Sequence, residues 1–448
     1  MADHVFDMKM DFGDDGSGAN EFKKVKDKKF HDLSGFKMDE TLSDLERSLI
    51  LIQTGVPIQI SCAFGSLSRI SKTAVVATES KTKAQQQETI AQNWNERLVT
   101  LFDVAVSTVT DNSTEEDVIA KAVSAASEFS YYVETHPSTT GETDLDSIHN
   151  VSTQFLRLIL AVLNRTGENA KLKGRQLALQ TLPNLMACVP LESSISIAIP
   201  MAVVMADVSR SDENRIVACK LLGAIAQADK LEEKQSEDLL LPVVIRLCQD
   251  TAAEVREAMS RQLDKMIRGL TTASLVEKVS SELMELLEDE KDHVRFAALS
   301  TTIAMIDVLP CDLLTRKILL IIKASCDLDE LGGETKMAPS IPEHFGVMFY
   351  RIFNRTGIFD DASIKKEYMD HFLKCYKTMS VSNNDATRRW CAYNYPAVLK
   401  TVGVIRFEDH FLQNILVRFA RDTSVAVSSF LLNFTFDVQA LLMYKRCS

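Results

Sequence analysis

The sequence lacks a glycine-rich phosphate loop, a nucleophile elbow, a His-Glu-x-x-His pair and a kinase signature, the short motifs that fix a reactive group at a set backbone geometry. Its eight histidines (His4, His31, His136, His149, His293, His344, His371 and His410) show no i, i+4 ligand pairing. These absences argue against an enzyme, and neither a cofactor nor a metal is expected. The nine cysteines (Cys62, Cys188, Cys219, Cys248, Cys311, Cys326, Cys375, Cys391 and Cys447) are odd in number and never spaced Cys-x-x-Cys. That excludes a disulfide framework or zinc site and leaves small buried hydrophobes in a reducing cytosol.

Long apolar runs are missing too. The longest, around Ile195 to Ala206, is interrupted by Ser196 and Pro200 and is too short to cross a bilayer. Residues 1 to 40 carry charge where a signal peptide would carry an apolar core. The glycosylation-like triplets at Asn112, Asn150, Asn164, Asn354 and Asn433 are then chance matches. Nor is there a basic excess: the formal net charge is -12 and the pI near 5.3, which argues against nucleic acid or an anionic membrane as partner. A cytoplasmic protein is expected, with a nuclear pool if the lysine cluster Lys23, Lys24, Lys26, Lys28 and Lys29 acts as an import patch.

What the chain does have is a pattern stated twice between Ser236 and Leu309. An apolar helix runs into Asp250 or Asp289, four residues follow, and Val255-Arg256 or Val294-Arg295 opens a second apolar helix. In the first copy Leu240, Val243, Val244 and Leu247 share one helical stripe, as do Val255, Met259, Leu263 and Met266. A two-helix hairpin with one apolar face per helix cannot close a core alone, so neighbouring hairpins must stack. Arg175, Arg215, Arg256 and Arg295 recur at offsets of 40, 41 and 39 residues. That period, with two helices per unit, predicts an all-α solenoid of HEAT-type, armadillo-like hairpins. Asp250 and Asp289 are expected to cap the second helix of their units, and the arginines to reach a carboxylate or carbonyl of the same or next unit.

The same reading divides the chain into a disordered charged tail over 1–40, divergent helical repeats over 41–147 and a regular solenoid over 148–448. Ser43 and Glu46 suggest a capping box, and Gly55 with Pro57 a helix stop. The polar stretch from Ser71 to Asn95 is helix-compatible through its Gln and Ala content but has a weak apolar face, and His136 to Asp146 reads as an exposed loop. Pro200 and Pro242 should kink two first helices. A long loop is expected near 326–345. Arg389 looks like the ladder position two repeats after Arg295, whereas in the last recognisable unit Asp422 and Val427 keep the spacing but Ser428 replaces the arginine. The final helices, with Phe430, Leu431, Leu432, Phe434, Phe436, Leu441, Leu442 and Met443, are apolar almost all round and predict a covered or self-associating face.

Four segments, TLSDLERSLILIQTG (Thr41 to Gly55), RIVACKLLGAI (Arg215 to Ile225), LPVVIRLCQDTAAEVREAMSRQLDKMIRGL (Leu241 to Leu270) and RRWCAYNYPAV (Arg388 to Val398), resemble the HEAT-repeat regulatory subunits of protein phosphatase 4. More distantly the chain is similar to the scaffold subunit of protein phosphatase 2A. The matches run in similar order from about Thr41 to Asp422, poorly over 60–140. The resemblance implies a noncatalytic, cytoplasmic subunit that binds a serine/threonine phosphatase catalytic subunit together with phosphoprotein substrates or adaptors. The active-site metals would be the partner's. Related scaffolds use the turns within repeats as a contact edge, which by position means Asp207 to Asn214, Asp250 to Glu254, Asp289 to His293 and Asp422 to Ser424. The family's members continue through further repeats, whose sites are not carried over. The alternative is a nuclear-transport receptor of the importin type or another protein-binding HEAT adaptor, which would need a Ran-binding edge that Ser71 to Asn95 does not suggest.

Overall fold

A computed structural model gives the architecture, and the residues it describes are 42–79, 86–111, 113–136, 142–165, 173–268, 273–326, 340–359, 361–403 and 412–428. The expected charged tail, the lysine cluster and the apolar stretch Phe430 to Met443 lie outside them. The residues from Asp44 onward make one compact unit. Among the described residues every regular element is helical.

The helices alternate as the hairpin pattern requires. Unit one is α1 (Asp44–Thr54) and α2 (Pro57–Glu79), unit two α3 (Gln86–Thr110) and α4 (Glu116–Thr135), unit three α5 (Glu142–Leu163) and α6 (Lys173–Cys188). Unit four pairs α7 (Leu191–Ser193) and α8 (Ile199–Met205), joined by a π turn at Ser194–Ala198, with α9 (Asp212–Gln227). In unit five α10 (Glu233–Gln235), a π turn at Ser236–Leu240 and α11 (Leu241–Cys248) precede α12 (Ala253–Ser260) and α13 (Leu263–Arg268). Unit six is α14 (Ala273–Leu287) and α15 (Asp292–Met305). Unit seven is α16 (Cys311–Leu313), a π turn at Leu314–Ile318 and α17 (Leu319–Ser325), followed by α18 (Ser340–Asn354). Unit eight is α19 (Ala362–Met379) and α20 (Asp385–Val402), and α21 (Leu412–Ala420) opens a ninth.

Stacking buries what one hairpin cannot. The second helices pack in a continuous row, α2 on α4, then α6, α9, α12, α15, α18 and α20, and the first helices α1, α3 and α5 form a parallel row. The stripes read from the sequence line this core: Val243, Val244 and Leu247 are buried from one helix, and Val255, Met259, Leu263 and Met266 from the other. Each such side chain contributes about 1.5–3 kcal/mol by leaving water. A core of this kind grows by addition, which is how so long a chain stays in one unit.

The helix-compatible stretch from Ser71 is helical to Glu79 and helix resumes at Gln86, because stacked neighbours stabilise a helix whose own apolar face is weak. Several other local expectations are corrected. The loop placed at His136 to Asp146 yields to α5, which begins at Glu142. The loop near 326–345 yields to α18 at Ser340, whose first turn tolerates Pro342. The kink expected at Pro200 and Pro242 takes the form of a π turn just before each proline, in which the amides of Ile199 and Leu241 reach back five residues to Ser194 and Ser236. A third π turn stands before Leu319-Leu320 without a proline, so proline alone does not cause it. The second helix of unit five breaks at Arg261 and Gln262, where Gln262 lies so close over Gly223 of α9 that an added Cβ there would stand 2.3 Å from its Oε1. Of the cysteines taken as buried, Cys62 is exposed and Cys188 and Cys311 are half-buried.

Candidate interaction edge

The turns from first to second helix line one edge of the stack, and the recurring Asp and Arg meet there. Arg215 holds Asp250 of the next unit through two bonds, Nε to Oδ2 at 2.8 Å and Nη2 to Oδ1 at 3.0 Å, and gives Nη1 to the Arg210 carbonyl at 2.6 Å. Arg256 repeats this on Asp289, at 2.7 and 3.0 Å, with Nη1 on the Asp250 carbonyl at 2.7 Å. Arg388 repeats it on Asp422, at 2.8 and 3.1 Å, with Nη1 on the Ser382 carbonyl at 2.9 Å. Each fork ties two units while bracing its own turn, the planar geometry a guanidinium supplies and an ammonium does not. The carboxylates also accept a turn amide two residues on, Ala252, Lys291 and Ser424 at 2.8, 2.9 and 2.9 Å. Asp250 and Asp289 therefore brace the turn before the helix, whose cap positions are Ala252 and Lys291. The expected helix-capping bond is not what they make.

Two arginines of the series depart from this pattern. Arg175 is buried and meets Asn214 Oδ1 at 2.8 Å, with Glu213 only at 3.9 Å. Burial pulls its guanidinium below the usual value, and Glu213 partly offsets that. The carboxylate that would match is Asp207, but the turn from Asp207 to Arg215 is two residues longer than that from Asp250 to Arg256. Asp207 instead stands exposed, accepting the Ser209 amide at 2.9 Å and hydroxyl at 2.6 Å. Arg295 turns back on its own unit, bonding the Asp289 carbonyl at 2.6 Å and the Asp292 carboxylate. The eighth-unit rung is Arg388 rather than the expected Arg389, since Thr387 stands where Val255 and Val294 stand in other units.

The rungs predict acid sensitivity. Burial pushes the Asp289 carboxyl up, but the Arg256 fork and the Lys291 amide outweigh it and hold the group below its ordinary 3.8. The Arg388 hydrogen bonds do the same for Asp422, against opposing burial. A carboxyl lowered in the folded state contributes stability in full above its unfolded value and loses it as pH falls through the folded one. The urea midpoint should therefore drop as pH falls below about 4, and Asp289→Asn should flatten that slope. Equal slopes for both proteins would rule the rung out as the source.

The opposite edge is held by cations on helix C-termini, where they meet unsatisfied carbonyls. Lys230 Nζ takes the Ala187 carbonyl in the last turn of α6 and the Val189 carbonyl just after it, at 2.7 and 2.5 Å. Arg268 reaches the Ala304 carbonyl at 2.6 Å and the Asp307 carboxylate at 3.2 Å.

The seven residues proposed from the sequence as contacts fall into two groups. Asn214 is buried, and the side chains of Asp250, Asp289 and Asp422 are 8%, 8% and 6% exposed and held by arginine. Asp207, Glu254 and His293 face solvent. Around them the exposed turn residues of units four to six are mainly acidic: Asp212, Glu213, Glu288, Glu290 and Asp292 against Arg210 and Lys291. The sequence reading missed exposed valines on this edge, Val208 at 75% and Val425 at 79%, with Val56 and Val381 on other turns. The signal was present: Val208, Val56 and Val381 lie between helices and Val425 opens the helical stretch after the Asp422 turn, each off any apolar stripe. Among the described residues there is no group of three or more His, Cys, Asp or Glu that could hold a metal ion. No described helix is long and apolar enough to cross a membrane.

No family model matches the chain. It is 24% identical over 385 residues to serine/threonine-protein phosphatase 4 regulatory subunit 4 of Homo sapiens, a match covering 81% of this chain and 39% of that protein. To the subunit of the same name from Mus musculus it is 28% identical over 276 residues, covering 56% of this chain and 30% of the relative. The chain thus spans well under half the length of these curated relatives. Among solved structures, yeast importin-beta (Kap95p) superimposes with a TM-score of 0.52 at 12% identity, over 89% of this chain and 47% of that one. That likeness establishes the HEAT-type helical solenoid and nothing about what it binds.

Proposed function

We propose that the chain is a noncatalytic regulatory subunit, holding the catalytic subunit of a serine/threonine phosphatase of the protein phosphatase 4 type and presenting phosphoprotein substrates or adaptors to it. The observation that carries this reading is the similarity to relatives named as regulatory subunits, which runs through 81% of the chain. A stacked-hairpin surface suits the task, since enzyme and substrate held on one scaffold gain effective concentration without new chemistry. The metals and the hydrolytic step belong to the partner. On this chain the contact surface is the turn edge, and its reachable groups are Asp207, Glu254 and His293 with Val208 and Val425 among them.

Capture on the immobilised 448-residue chain from cytosol tests the proposal. Recovery of the phosphatase catalytic subunit is expected, and recovery of Ran without any phosphatase would replace the reading with transport. Asp207→Lys with Glu254→Lys should lower the recovered phosphatase about tenfold by reversing the edge's charge. Unchanged recovery, with an unchanged helical signal, would move the contact off this edge.

A further inference from the structure

We infer that a groove in the layer of first helices, between units six and seven, is a docking site for a peptide segment that carries an apolar side chain beside a single carboxylate. The inference rests on the groove's own residues and is independent of the phosphatase reading, which concerns the turn edge. Several first helices pack directly on their neighbours, α3 on α5, α11 on α14 and α17 on α19. Between α14 and the segment that runs from α16 into its π turn, a groove of about 490 Å³ opens instead. That volume falls in the range of a ligand pocket, about 300–1,000 Å³, and far exceeds the roughly 10–15 Å³ that one trapped water needs.

The walls carry the groups a peptide would satisfy. Met284 of α14 and Leu313 of α16 are half-buried and Pro310 is exposed, so apolar surface stays bare where a neighbouring helix would cover it. Ser280, on the same wall as Met284, is 1% exposed, yet its hydroxyl has no hydrogen-bond partner. Ser124, Ser300 and Ser325, on other helices, give theirs to the carbonyl four residues back at 2.8, 3.0 and 2.8 Å. A buried hydroxyl left unpaired is costly, and a peptide backbone offers both the donor and the acceptor that would pair it.

The charges choose among occupants. Arg316 is held by Asp312 at 2.8 Å, which leaves Lys317 on that wall and Glu277 on α14 without an ion pair among the described residues. With Glu277 in the groove and Glu285 exposed one turn beyond Ser281, a polyanion or an anionic bilayer meets like charge along α14. A flat surface also cannot reach Ser280. A segment with one carboxylate for Lys317 and an apolar side chain for Met284 and Leu313 meets both needs, and Glu277 adds a preference for a basic residue on the far side.

Selection from a random peptide library displayed on phage, with inserts of about twelve residues that extend to about 40 Å, tests the site on the immobilised 448-residue chain. Binders are counter-selected on Ser281→Trp, since Ser281 is exposed on the α14 wall and an indole there closes the groove. The surviving sequences should share an apolar residue beside an Asp or Glu. In fluorescence anisotropy, Lys317→Glu should weaken the best of them about tenfold and Ser280→Ala about threefold. Lys220→Glu, exposed on α9 in the other layer, should change nothing. A library that yields no binder sensitive to Ser281→Trp, or a consensus without a carboxylate, would overturn the proposal. So would binding of phosphatidylserine vesicles that Lys317→Glu abolishes, which would make the groove a lipid site. Circular dichroism on each variant separates a closed groove from a chain that has failed to fold; if Ser281→Trp misfolds, Lys317→Glu takes its place in the counter-selection.

Discussion

Arg215→Ala should destabilise the solenoid by about 3–5 kcal/mol, the cost of leaving a buried charge without its partner. The Arg215 side chain is 5% exposed and that of Asp250 is 8% exposed, so truncation strands a largely buried carboxylate. It also removes the donor to the Arg210 carbonyl. Arg256→Ala should cost less, about 1–3 kcal/mol, because its side chain is 12% exposed and solvent already reaches this rung more than the first. Arg295→Ala should cost under about 1 kcal/mol, since its side chain is 37% exposed and its carboxylate partner Asp292 is 72% exposed. Urea denaturation of the three single variants gives the ranking. Arg215→Ala combined with Asp250→Leu should recover much of the loss, because the stranded charge leaves with its partner. If Arg215→Ala and Arg295→Ala cost the same, burial is not what makes these rungs matter.

That ranking could not be read from the sequence, where Arg215, Arg256 and Arg295 look alike at offsets of 41 and 39 residues. Spacing places a side chain on an edge of a hairpin; it does not say whether a carboxylate waits across the junction. The fold itself was legible because apolar stripes and the near-40 period are properties of single helices and their order. The Arg388 rung escaped because Thr387 breaks the Val-Arg signature while remaining buried. The π turns escaped because a bond to the fifth residue back shifts the stripe by less than the scatter of the pattern. The contact edge was half legible: charge marks a turn, but Asp250, Asp289 and Asp422 point inward to arginine while Asp207 and Glu254 point outward. Direction there depends on the neighbouring unit, which a stretch read by itself does not contain.

The segment RRWCAYNYPAV, more distinctive than a generic HEAT helix, has a structural reason to be so. Asn394 is 4% exposed and satisfies its amide entirely on backbone. Nδ2 donates to the carbonyls of Pro342 at 2.8 Å, Glu343 at 3.1 Å and Trp390 at 2.9 Å, and Oδ1 accepts from the Gly346 amide at 3.1 Å. So close an approach of α20 to α18 is open only to glycine at 346, where an added Cβ would stand 2.6 Å from Asn394 Oδ1 and 2.9 Å from Ala397 Cβ. The Tyr395 hydroxyl, donating to the Leu412 carbonyl at 3.0 Å, ties the same helix to α21 on its other side. Asn394→Leu should therefore cost about 2–5 kcal/mol, from stranded carbonyls and an overfilled contact. Gly346→Ala should cost about 1–3 kcal/mol by forcing the two helices apart. The two positions touch, so their effects should not add: Asn394→Ala removes the nearest atom that the new methyl would strike, and Gly346→Ala should cost less on that background, the remaining cost coming from Ala397 Cβ at 2.9 Å. A double-mutant cycle in urea measures the coupling. Costs that simply add would mean the helices are held apart by Ala397 and the rest of the contact rather than by the buried amide.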